Sequence, residues 1–115
     1  MRTLFVLGAI VALTGAATAH AFLAIASPAA GENLKAPPAR VALHFTESLE
    51  PAFSGIAVAD ESGHDMAAGP ATASGTEMDL SLKPLAPGRY RVSWHAVSVD
   101  THRTEGKYNF LVLPQ

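Results

Sequence analysis

The chain contains no cysteine among its 115 residues. That absence removes disulfides, thiolate metal sites, iron–sulfur clusters and cysteine nucleophiles together. It also excludes a blue-copper electron carrier, which needs a cysteine ligand. Charge is sparse: 16% of the residues are Asp, Glu, Lys or Arg, and the formal net charge is −2. Nothing therefore suggests a nucleic-acid partner held by a basic surface. Internal repeats and long low-complexity tracts are missing, and no segment shows an amphipathic helical period. With 49% hydrophobic residues the chain is too apolar for a disordered tail. Its length fits one small domain and is too short for a multi-domain enzyme.

What is present begins with a leader. Arg2 supplies a positive charge, Leu4 to Leu13 is apolar throughout, and Ala16-Ala17-Thr18-Ala19 supplies small residues. This is the layout of a secretory signal peptide over residues 1–19, with Ala17 and Ala19 at the −3 and −1 positions of the cut. The apolar run is too short to cross a bilayer, which takes about 20 residues. The expected product is an exported, periplasmic domain over residues 20–115. Cleavage after Ala19 makes His20 the first residue, so its α-amine and imidazole Nδ1 can chelate one metal ion. A cut after Ala21 also satisfies the small-residue rule and would remove His20.

Beyond the leader, nine glycines and eight prolines punctuate short segments, an all-β rhythm. Strands are expected at 22–27, 40–45, 55–60, 77–82, 89–98 and 106–113, each with apolar residues at every second position. Val41, Leu43 and Phe45 share one face, as do Tyr90, Val92, Trp94 and Ala96. Residues 64–76 read as a loose loop. The expected architecture is a single-domain sandwich or barrel of roughly six to eight strands.

Two places carry metal-binding chemistry. One is the new terminus at His20. The other is Asp100-Thr101-His102, between the last two strands. In extended chain residues i and i+2 point the same way about 7 Å apart, so Asp100 and His102 can offer an oxygen and a nitrogen to one ion. With the amine and imidazole of His20, the set is three nitrogens and one oxygen, which suits tetragonal Cu(II). Zinc can take the same atoms but prefers tetrahedral geometry. The plain alternative is that Asp100 caps a turn and His102 is a surface histidine.

Several stretches resemble the CopC-type periplasmic copper-binding proteins: His20, Ser27-Pro28-Ala29-Ala30-Gly31, Leu43-His44-Phe45-Thr46-Glu47, Phe53-Ser54-Gly55, the run from Leu85 to His102, and Gly106-Lys107-Tyr108-Asn109-Phe110. The resemblance implies a Greek-key β-sandwich, cupredoxin-like or immunoglobulin-like, with a Cu(II) site at one end. It places the family's histidine and D-x-H ligands on His20, Asp100 and His102, and a weaker glutamate on Glu47. Some members add a methionine-rich Cu(I) site. Here only Met66 and Met78 remain outside the leader, so the pair His64 and Met66 is a weak second candidate and Met78 is expected in the core. His44 is expected to be structural near Glu47, and His95 to be solvent-exposed. Arg89, Arg91 and Arg103 do not form a cluster large enough for an anion site.

The function expected is a copper-holding protein for resistance, homeostasis or delivery, not an enzyme. It is expected as a monomer, beside an inner-membrane copper transport protein. A histidine-brace copper oxidase and a metal-free β-sandwich interaction module are the competing readings.

Overall fold

Alternating burial along the longer strands fixes the two layers of the molecule. The computed structural model describes residues 21–115; the expected leader and His20 lie outside the described residues. Eight strands run in order: β1 (Leu23–Ser27), β2 (Asn33–Leu34), β3 (Arg40–Phe45), β4 (Gly55–Asp60), β5 (Thr72–Ser74), β6 (Glu77–Ser81), β7 (Gly88–Val97) and β8 (Arg103–Val112). A short 3-10 turn at Pro51–Phe53 lies between β3 and β4. The strands make two four-stranded sheets, ordered β1-β3-β6-β5 and β2-β8-β7-β4. Neighbours are antiparallel except β2 with β8, which are parallel. The domain is the single all-β sandwich that the sequence rhythm predicts.

The core is built from the alternating residues. Val41, Leu43 and Phe45 of β3 and Met78 and Leu80 of β6 face Val58, Tyr90, Val92, Ala96, Phe110 and Val112 of the other sheet, and all are buried. Burying each large side chain contributes about 1.5–3 kcal/mol. Phe45 meets Trp94 edge-on across the layers, with ring centroids 5.1 Å apart and planes at 69°. Tyr90 stacks on Phe110 at 5.5 Å within its own sheet. The Tyr90 hydroxyl donates to the Ala86 carbonyl at 2.6 Å, pinning the Pro87-Gly88 approach to β7 as a tyrosine corner does in other Greek-key sandwiches.

Trp94 is only partly buried, although it packs against the core. Its ring lies over Gly106, its register partner on β8. A Cβ at 106 would stand 2.6 Å from Trp94 Cζ2, so glycine there is a packing requirement.

Two short strands escape the sequence pattern. Residues 72–74 form β5 rather than loop, closing on β6 through the two-residue turn Gly75–Thr76. Gly75 has φ +60°, the left-handed value a tight hairpin turn requires at its first central position. Thr72, Ala73 and Ser74 carry no apolar alternation, so their pairing is imposed by β6 (an edge position tolerates this). Likewise β2, two residues long, exists because β8 offers it an edge. The first strand starts at Leu23, one residue later than expected.

Candidate metal centre

Strands β7 and β8 pair over ten positions, from Gly88↔Val112 to Val97↔Arg103. This long hairpin carries its turn, residues 98–102, to one end of the sandwich. Within the turn Thr101 adopts φ 74°, and its N–H donates to the Ser98 carbonyl at 2.8 Å. The Ser98 N–H donates to the His102 carbonyl at 2.9 Å. Asp100 and His102 are therefore not an extended i, i+2 pair. The turn brings His102 Nδ1 to 3.1 Å from Asp100 Oδ2.

Asp100 is held by several donors. The Ser98 hydroxyl, on a fully buried residue, donates to Oδ1, and the His102 N–H reaches the same oxygen at 3.4 Å. The Ser98 bond first, then those from His102, hold the Asp100 carboxyl below the usual carboxylate range against an opposing desolvation. The 3.1 Å between His102 Nδ1 and Asp100 Oδ2 is also a separation that one ion can bridge. The turn-capping role is thus also present: Asp100 both caps its turn and orients His102.

Two further segments reach the same end. Ala21 is fully buried, and its carbonyl accepts a 2.6 Å hydrogen bond from the Thr104 hydroxyl, two residues beyond His102. The Phe22 N–H donates to Thr46 Oγ1, and the Thr46 N–H donates to the Phe22 carbonyl, both at 2.9 Å. The chain just after position 20 is thereby clamped between the end of β3 and the start of β8. Glu47, half-buried, follows Thr46 directly, and the next residue, Ser48, accepts the Val99 N–H at 3.1 Å. Leu49 bridges to Ser98, and the Glu50 N–H donates to the Val97 carbonyl at 2.8 Å. Phe22 and Val99 remain more than half exposed at this end.

The structure thus gathers Asp100, His102 and the segment bearing Glu47 beside the anchored Ala21. Among the described residues alone, no group of three or more His, Asp or Glu side chains is placed to hold a metal ion. His20 lies outside the described residues. The weaker pair is divided in its contacts: His64 is exposed and bonded to Asp60 at 3.1 Å, whereas Met66 packs against the core. Met78 is fully buried, as expected. His44 has a different partner from the expected one, for its Nε2 lies 3.1 Å from Glu77 Oε1. His44 and Glu77 are register partners, a relation invisible in sequence. His95 is half-buried rather than fully exposed, because its ring lies down over Gly55.

Ser98, Thr46 and Thr104 position this end and carried no sequence signal. Their decisive bonds join residues up to 83 positions apart.

The family model of the CopC domain matches residues 23–113. The chain belongs to the CopC family. It is 37% identical over 119 residues to copper resistance protein C of Pseudomonas syringae pv. tomato, covering 96% of this chain and 92% of that one. The crystal structure of CopC from Methylosinus trichosporium OB3b superposes with TM-score 0.77 at 37% identity, covering 84% of this chain and 96% of that chain. A longer relative, the copper transport protein CutJ of Bacillus subtilis, is 32% identical over 98 residues, and the match takes 82% of this chain but 18% of CutJ. The CopC fold therefore occurs both as most of a short chain and as one part of a longer one.

Proposed function

We propose that this chain is an exported copper-binding protein that holds Cu(II) at the β7–β8 turn and passes it on. The observation that carries the reading is the anchoring of Ala21. Its buried carbonyl accepts from the Thr104 hydroxyl, two residues beyond His102, so Ala21 is fixed at the end of the sandwich that carries Asp100 and His102. If the leader is cut after Ala19, the residue preceding Ala21 in sequence is His20 with a free amine. Amine, two imidazoles and a carboxylate then converge as three nitrogens and one oxygen, the donor set and count that favour Cu(II). Glu47 adds a carboxylate from the β3–β4 loop, outside that set of four.

The chemistry is that of a holder rather than an enzyme. The carboxylate of Asp100 favours the higher charge of Cu(II) and occupies a position that an oxidase would keep open. Loading displaces protons from the amine and imidazoles, so affinity falls as pH drops. The similarity to part of CutJ supports a membrane copper transport protein as the recipient. In such a scheme the chain works in the periplasm as a monomer.

The test is a Cu(II) titration of the processed protein, read by electron paramagnetic resonance and by Trp94 fluorescence, with the first residue established by mass spectrometry. A stoichiometric site with nitrogen hyperfine structure is expected when the chain begins at His20. Unchanged binding by a chain that begins at Phe22 would overturn the assignment.

A further inference from the structure

We propose that the outer face of the β4–β7–β8 sheet is a docking surface for an acidic, extended segment of a partner protein. The face is assembled by register: Ala59, Arg91 and Asn109 lie side by side, then Ala57, Ser93 and Lys107, then Gly55, His95 and Glu105. Arg89 extends the row at one end, and Arg103, the register partner of Val97, ends it beside the 98–102 turn. Four of the chain's eight lysines and arginines stand on this one face of a protein whose net charge is −2.

The charge on this face is largely uncompensated. Glu105 is its one outward carboxylate on these three strands, and it is paired with Arg103 at 3.3 Å. At the far rim Glu61 accepts the Arg89 N–H at 3.3 Å, and Asp60 is engaged with His64. No ion pair among the described residues involves the guanidinium groups of Arg89 and Arg91 or the ammonium of Lys107. By contrast Arg40, on the opposite sheet, is bonded to Asp79 at 3.1 Å.

Shape selects the class of partner. The outward positions of β4 are Gly55, Ala57 and Ala59, so the face sinks along this strand between longer neighbours. Two hollows of about 590 and 420 Å³ lie there, one lined by Ser93, His95 and Lys107 with the paired Arg103 and Glu105, the other by Arg89, Arg91 and Asn109 with Asp60 and Glu61 at its rim. Strand β4 is the last strand of its sheet, and residues 64–66 already pair along its edge from Val58 to Asp60, so a partner is seated on the face rather than added along that edge. Carboxylate side chains of an extended segment can fill such hollows and meet the bases, whereas a flat anionic bilayer spans them. A partner seated here lies next to Asp100 and His102, although the proposal does not depend on metal binding.

The test uses the metal-free protein, isotopically labelled, titrated at low salt with a synthetic Glu-rich peptide and followed by NMR. Shifts confined to outward residues of β4, β7 and β8 are expected. The double reversal Arg91→Glu/Lys107→Glu should weaken binding by about tenfold or more, and the milder Arg91→Gln/Lys107→Gln by an intermediate factor. The same charge change at exposed Lys35 and Lys83 should alter affinity by no more than about twofold. Equal loss in both double reversals, absence of binding, or binding of phosphatidylglycerol vesicles but not the peptide through this face, overturns the proposal.

Discussion

Among the described residues two aspartate–histidine pairs of like spacing stand at opposite ends of the molecule. In each, Nδ1 of the histidine lies 3.1 Å from Oδ2 of the aspartate. In each, the other carboxylate oxygen caps a turn: Asp60 accepts from the N–H groups of Ser62 and His64, and Asp100 from the Ser98 hydroxyl and the His102 N–H. Both carboxyls are held below their usual range. At Asp60 the main cause is the His64 N–H; at Asp100 it is the Ser98 hydroxyl. The pairs are separated by most of β7, about 23 Å from Tyr90 to Val97 at strand rise. What differs is the company. At Asp100 and His102 the N-terminal segment is fastened by Thr104 and Thr46, and Glu47 follows. At Asp60 and His64 the neighbour is Met66, which is turned into the core. An Asp–His pair is thus an ordinary turn device; the convergence of separate segments on it makes a candidate site.

The largest expected effect separates the two pairs directly. His102→Ala should weaken Cu(II) binding by more than about hundredfold, beyond what an outer partner of a ligand usually contributes, whereas His64→Ala should leave it unchanged. Isothermal titration of the processed protein measures both, and equal affinities in the two variants would erase the distinction.

Next comes the frame that both ends share. Gly106→Ala forces a Cβ against the Trp94 ring, which is itself held against Phe45. Destabilisation of about 1–3 kcal/mol is expected in urea unfolding. Gly55→Ala meets only the His95 ring at 2.9 Å, a side chain at the surface that can swing aside, so a smaller loss is expected. Tyr90→Phe removes the bond to Ala86 and should cost about 1 kcal/mol. Tyr108→Phe should cost less, since that buried hydroxyl has no hydrogen-bond acceptor among the described residues and desolvation pushes it up to about 12.

The smallest effect is electrostatic and should be common to both ends. A carboxyl with a lowered folded pKa adds stability above its unfolded pKa, about 3.9, and that contribution is lost as pH falls through the folded value. Asp60→Asn and Asp100→Asn, each without metal, should therefore flatten the stability profile on the acid side, below about pH 4. A change in only one of them would show that the resemblance between the turns is superficial.

Much of this was legible beforehand. Period-2 alternation placed β3, β4, β6, β7 and β8, because a half-buried strand must present its apolar residues at every second position. It failed for Thr72-Ala73-Ser74, where small residues follow an edge rather than a core. Asp100 and His102 were visible as donor types, but as an extended pair; the left-handed Thr101 that folds them together was not. His44 was assigned the wrong neighbour, since Glu77 lies across a strand pairing and Glu47 only along the chain. The basic face was missed for the same reason: pairing with Ser93 brings Lys107 onto the face that Arg91 shares, a relation of register and not of spacing.

The amino-acid sequence by itself determined the all-β class, the absence of thiolate chemistry and the nitrogen and oxygen donors on offer. These follow from composition and from periodicities a few residues long. Which Asp–His pair lies at the end where Ala21 and Phe22 are fastened, and which charges share a face, was decided only by tertiary structure. Those outcomes depend on strand register and on hydrogen bonds spanning up to 83 residues, such as Thr104 to Ala21, which local patterning cannot encode.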